Sequence, residues 1–183
     1  SFRFCRPDDI SELVDAVNRA YLVHFSHCPP MTIAAFKKEI KEINLWTSSC
    51  MLATENGVPI GVLIAAKRER VSVILRLGIH PKFQGLGYGS QLLNSLKNKM
   101  QVLGPPLLTV ELNEADVGMR SFFEKQGYRA STRFVDFEAL GSFAQFETAE
   151  LIQEIDVRGL KERYLRFPVS STKRKEGSLA WIR

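Results

Sequence analysis

Apolar residues recur along this chain in two rhythms, every second position in short runs and every third or fourth in longer ones, which predicts strands and helices in alternation. Phe2-Arg3-Phe4-Cys5 alternates and reads as a short strand. Pro7-Asp8-Asp9 opens a helix that Asp8 or Asp9 can cap, with Glu12 three residues beyond Asp9 as in a capping box. Its buried stripe is Ile10, Leu13, Val14, Val17 and Tyr21. After Pro29-Pro30, Thr32 caps a second helix with Ile33, Phe36, Ile40 and Ile43 inward and Lys37, Lys38, Lys41 and Glu42 outward. Strands follow over 50–54 and 60–66, joined at Asn56-Gly57, a strong hairpin signal. Lys67-Arg68-Glu69-Arg70 leads into an apolar, β-branched strand over 71–77. Gly104-Pro105-Pro106 ends a third helix, 107–112 is a strand, Asp116 caps a fourth helix closed by Gly127, and a further strand runs from Tyr128 to about Phe137.

The stretch that organises the rest is Leu77-Gly78-Ile79-His80-Pro81-Lys82-Phe83-Gln84-Gly85-Leu86-Gly87-Tyr88-Gly89-Ser90. Pro81 stops the strand because it has no N–H for a ladder. Three glycines alternate at 85, 87 and 89, and a helix with Leu92, Leu93, Leu96, Met100 and Leu103 on one face follows at once. A glycine-rich loop opening a helix presents backbone N–H groups at the positive end of the dipole, which is an anion site suited to phosphate. A glycine-rich surface loop without a ligand is the other meaning of such a run; the order strand, proline, glutamine, glycines, amphipathic helix favours the anion site. The spacing is not the G-x-G-x-x-G of dinucleotide folds, and no Gly-Lys-Ser/Thr of a P-loop is present.

Composition narrows the class. The 183 residues suit one domain plus an extension, and 45% apolar content is enough for a core. No long apolar run reads as a membrane span and no signal peptide is seen, so a cytoplasmic setting is expected. Three scattered cysteines, Cys5, Cys28 and Cys50, make neither a disulfide framework nor a zinc site, and no metal is expected. The net charge of +5 is spread along the chain with no basic stripe for nucleic acid. The first and last residues suggest a piece of a longer protein.

Gln84-x-x-Gly87-x-Gly89, after an apolar strand and a proline, resembles the acetyl-CoA signature Q/R-x-x-G-x-G/A of the GNAT superfamily of N-acetyltransferases. Asn113 and Phe122-Phe123-Glu124-Lys125-Gln126-Gly127-Tyr128 are similar to a later family motif, commonly F/L-Y-E-x-x-G-F. The resemblance covers residues 2–138. It implies an α/β (α+β) fold with a mixed central sheet of about six to seven strands flanked by helices, the fourth and fifth splayed apart. It also implies acetyl-CoA as co-substrate and an amine as acceptor. Leu77, Gly78 and Ile79 would pair with the pantetheine arm through their backbones. The N–H groups of Gln84, Gly85, Leu86, Gly87, Tyr88, Gly89 and Ser90 would hold the pyrophosphate, and Asn113 and Phe123 would complete the cofactor site. Phe123 stands where the family commonly has a Tyr that protonates the leaving thiolate; Phe has no proton to give. Asp116 stands where Asn is common.

Transfer needs a base for the amine. Residues 71–80 hold no Glu, where many members of the family place one, and offer Arg76 and His80 instead; Glu111 on the next strand is the alternative carboxylate. His80 has a second meaning as a strand-end cap. His24 and His27 fall where the family builds its acceptor site. A CoA-binding module without catalysis, and an acyltransferase for another acyl-CoA, are the rival readings. The GNAT domain is expected over 1–140. Residues 141–183, with helical patterns around Ile152 and Ile155 and around Leu160 and Tyr164, read as an extension: the start of a second domain or a homodimerisation arm.

Overall fold

The structure is a computed structural model that describes residues 1–25, 28–43, 45–68 and 70–131. The strand predicted to reach Phe137, the helical patterns of 141–183, the boundary at 140, His27 and Glu69 lie outside the described residues, or mostly so. Every element below belongs to a compact unit containing Ser1–Tyr128.

Five strands form one sheet in sequence order: β1 (Phe2–Phe4), β2 (Met51–Glu55), β3 (Val58–Lys67), β4 (Val71–Ile79) and β5 (Leu107–Val110). The first three pairings are antiparallel and β4–β5 is parallel, as a helical crossover between them requires. The sheet is therefore mixed and flanked by helices, as the family resemblance implies; five of its strands fall among the described residues. Asn56 and Gly57 both take positive φ, 50° and 79°, which is what a tight hairpin of the right twist demands.

Helices cover both faces. α1 (Ile10–Ala16) continues through a π-helical turn, Val17–Tyr21, and a 3-10 turn, Leu22–His24. With α2 (Ile33–Glu42) it covers one face, where Leu13, Ala16, Val17, Ala20 and Phe36 pack on Leu52, Val62 and Ile64. On the other face α3 (Tyr88–Leu103) and α4 (Val117–Lys125) bring Leu92, Leu93, Leu96, Met100 and Phe123 onto Met51, Leu63, Ala65 and Ile74.

The caps follow local chemistry with one exception. Thr32 Oγ1 accepts the Ala35 N–H at 3.1 Å, and Asp116 Oδ1 accepts the Met119 N–H at 2.9 Å. The sequence offers Asp8 or Asp9 as the cap of α1, but no side chain caps that helix, and the Asp9 carboxylate turns back to the Arg6 N–H at 2.7 Å and to the Arg3 guanidinium. Glu12 joins Arg3 as well, because a charged partner outcompetes a neutral N–H.

Candidate active site

The site begins with an extra residue in β4. Ala65 of β3 faces Ile74 and Ile64 faces Arg76, so Leu75 has no partner of its own and forms a bulge. Both Leu75 and Arg76 then lie towards the α1/α2 side: Leu75 packs into that core, and Arg76 Nη1 reaches Glu39 of α2 at 2.7 Å with its guanidinium over the Tyr21 ring. The β4–β5 ladder stops at the same place. It joins Val71–Ile74 to Leu107–Val110, while β4 continues to Ile79. From Leu75 onward one edge of β4 has no strand beside it among the described residues.

Register decides which atoms that edge presents. His80 donates its N–H to Ile60 O at 2.8 Å, so the opposed pair Gly61–Ile79 is a non-hydrogen-bonded one. Antiparallel pairs alternate, so Leu63–Leu77 is of the same kind and Val62–Gly78 is the hydrogen-bonded pair between them. The N–H and C=O of Leu77 and Ile79 therefore point to the open edge, and those of Gly78 point to β3. Gly78 serves otherwise: a Cβ on it would lie 2.2 Å from Ala20 O, so its bare Cα is what lets the π-helical turn rest on β4.

The loop beyond is built to expose N–H groups. His80 Nδ1 accepts the Lys82 N–H at 3.3 Å and closes the turn Pro81–Phe83, so the strand-end cap is the role the structure gives this ring. Gln84 spends its own N–H on Pro81 O. Gly85 and Gly87 take φ of 75° and 84°, a region costly for side chains, and a Cβ on either would meet nothing within 4 Å. Between them Leu86 is 66% exposed. Gly87 is the N-cap of α3 and no side chain caps it, which leaves the first-turn N–H groups of Tyr88, Gly89 and Ser90 directed outward. The Tyr88 and Ser90 side chains are held elsewhere: the Tyr88 ring stacks on Phe2 at 5.7 Å and Ser90 Oγ accepts from Gln126 Nε2 at 3.0 Å. A Cβ on Gly89 would sit 3.6 Å from the Phe122 ring and 3.7 Å from Ile79, so the helix start, the β4 end and α4 converge there.

A polar cluster stands at the same end of β4. His24 Nε2 is 3.0 Å from Ile79 O, Gln84 Nε2 is 3.2 Å from the same oxygen, and the two nitrogens are 3.3 Å apart. On the far side Asn113 Oδ1 accepts the Ala115 N–H at 2.9 Å and shapes the turn into α4. Glu111, half-buried, is one residue past Val110, the last residue of β5 to pair with β4. Phe123 is 2% exposed and its ring contacts Phe122 and Tyr128 within the second core, whereas the Phe122 ring lies beside Gly89. Burial pushes the Cys5 and Cys50 thiols up to about 12, which removes both as nucleophiles.

Sequence reasoning passed over Glu39, although a signal existed. It lies beside Ile40 on the inward side of an amphipathic helix, and Arg76 is the one cation within an apolar strand. Buried charges of opposite sign usually find each other.

A family model for the Acetyltransferase (GNAT) family matches residues 10–128. Solved structures share the fold at low identity. An aminoglycoside acetyltransferase, meta-AAC0020, from an uncultured soil metagenomic sample is 14% identical, with a TM-score of 0.64 over 78% of this chain and 96% of that one. The ribosomal-protein-S18-alanine N-acetyltransferase from Escherichia coli is 18% identical, with a TM-score of 0.57 over 72% of this chain and 79% of that one. The PaiA N-acetyltransferase from Thermoplasma acidophilum, solved in complex with coenzyme A, is 14% identical, with a TM-score of 0.57 over 72% of this chain and 90% of that one. The family match spans well over half of the chain and coincides with the open β4 edge, the glycine loop and the uncapped α3: the chain belongs to the GNAT family of acetyltransferases.

Proposed function

We propose that the chain is an acetyl-CoA-dependent N-acetyltransferase that transfers the acetyl group to a primary amine by direct attack in a ternary complex. The observation that carries this reading is the open edge of β4 running straight into the glycine loop. An extended, amide-bearing arm can add to the N–H and C=O of Leu77 and the N–H of Ile79 as another strand would, and a pyrophosphate can lie on the N–H groups from Gly85 to Ser90. The residues fit such a guest: open space lies in front of Gly85 and Gly87, and the nearby side chains of Tyr88 and Ser90 are tied back. When bound, acetyl-CoA supplies the activated acyl group. The protein contributes alignment, which lowers the entropic cost of bringing thioester and amine together. The Ile79 N–H, on the open edge, is the fixed donor for charge that develops on the thioester oxygen.

Isothermal titration of the chain with acetyl-CoA tests the reading. One-to-one saturable binding is expected. Absence of heat at millimolar ligand sinks it. A second reading, a CoA-binding module without catalysis, is favoured by Phe123, which has no proton for the departing thiolate and is enclosed in the core. Thiol release from acetyl-, propionyl- and succinyl-CoA in the presence of amine acceptors separates the two and ranks the acyl groups. The GNAT domain over 1–140 with a separate extension over 141–183 belongs to the same proposal, as does a homodimer formed through that extension. Among the described residues no helix is long and apolar enough to cross a membrane.

A further inference from the structure

The cluster at the end of β4 fixes the state of one ring. The Ile79 oxygen can only accept and the Gln84 Nε2 can only donate. A His24 hydrogen on Nδ1 would turn the Nε2 lone pair against the lone pairs of Ile79 O at 3.0 Å. The hydrogen therefore belongs on Nε2, where it is shared with the carbonyl while the Gln84 amide donates to the same oxygen at 3.2 Å. Nδ1 is left with the ring's lone pair. His24 is exposed, and among the described residues no hydrogen bond reaches its Nδ1. One ring nitrogen pinned by a carbonyl and the other open is the arrangement of an imidazole base. The pinning carbonyl belongs to Ile79, the last residue of the open edge, so the base stands where that edge meets the loop.

We propose that His24, through Nδ1, takes the proton of the attacking amine. This rests on the acetyltransferase reading above. The amine lone pair forms the C–N bond to the thioester carbonyl carbon, the C–S bond breaks with its electron pair going to sulfur, and the amine proton passes to Nδ1. The imidazolium then returns that proton to the thiolate, so the cycle closes without a Tyr at Phe123. The other candidates are placed less well. His80 has given its Nδ1 to the Lys82 N–H, and Glu111 follows β5 instead of lining the end of β4.

Two measurements on the full chain test this without knowledge of the natural acceptor. In nitrogen-15 spectra of the imidazoles, the three histidines are sorted by the signals lost in His24→Ala. The neutral His24 ring is expected as the Nε2–H tautomer; an Nδ1–H tautomer overturns the proposal. In calorimetry, two thioethers of CoA are compared, one carrying an ethyl group on sulfur and one a 2-aminoethyl group whose ammonium stands in for the acceptor. Wild type is expected to prefer the amine by about tenfold, the worth of one charge-assisted hydrogen bond, and His24→Ala to bind both alike. Equal binding of both thioethers by wild type, or a preference kept by His24→Ala, overturns the role of His24 alone. Failure of wild type to bind either thioether overturns the cofactor site itself, and this proposal with it.

Discussion

The two halves of β4 make different use of the same kind of residues. Val71–Ile74 is flanked by strands on both sides, and its backbone groups are consumed by the sheet. Leu75–Ile79 is likewise mostly apolar, Arg76 excepted, but one residue without a partner bends the strand, the ladder with β5 ends, and every second backbone unit is turned to an edge with no strand beside it among the described residues. A binding edge thus needs no special side chains. It needs one residue too many in a strand and a neighbour that stops early.

The largest expected effect tests what supports the second half. Gly78→Val drives a side chain into the backbone of Ala20 and Tyr21, which cannot give way as a side chain would. It should cost about 3 kcal/mol of stability, read as a lower urea midpoint with unchanged slope. A variant as stable as wild type would show that the π-helical turn does not rest on β4 as described.

Removing Leu75 breaks the comparison itself. Ala65–Ile74 and Ile64–Arg76 would become consecutive pairs of an ordinary ladder, with the downstream side chains still on their present faces. The chain should fold, at a cost of about 2 kcal/mol for the lost leucine, and should bind acetyl-CoA at least tenfold more weakly than wild type. Retained affinity would mean that the bulge does not create the site.

Gly87→Val sharpens it from the loop side. The left-handed φ of 84° costs a β-branched residue about 1–2 kcal/mol, and the new side chain projects into the space where the phosphates would lie. Calorimetry should show acetyl-CoA binding lost while circular dichroism keeps the helix content.

The smallest effect belongs to a control remote from both halves. The Arg3 guanidinium, aided by the Arg6 N–H, holds the Asp9 carboxyl below its ordinary 3.8. A depressed carboxylate stabilises the fold above the unfolded value and loses that contribution as the pH falls through the folded one. Asp9→Asn should lower stability near neutrality by no more than about 1 kcal/mol, flatten the decline below pH 3.8, and leave acetyl-CoA affinity unchanged.

Local chemistry is what could be read from the sequence. Pro81, the alternating glycines and the stripe Leu92, Leu93, Leu96 and Met100 stand in order, and each is decided by its near neighbours. The Thr32 and Asp116 caps are legible for the same reason. The bulge is not, since Leu75 is one apolar residue in an apolar run and only the count of partners on β3 makes it surplus. Gly78 is read from sequence as backbone for a ligand, whereas its bare Cα answers to Ala20, far earlier in the chain. His24 with Ile79, Glu39 with Arg76 and Asp9 with Arg3 are likewise settled by partners that folding brings close, and spacing carries no trace of them.

The open edge of β4 has one further consequence. The N–H and C=O of Leu77 and the N–H of Ile79 are a template for any extended chain, including a segment of a second molecule. A bound CoA arm would occupy it. The protein's solubility at high concentration should therefore depend on its co-substrate, with the ligand-free form the first to associate.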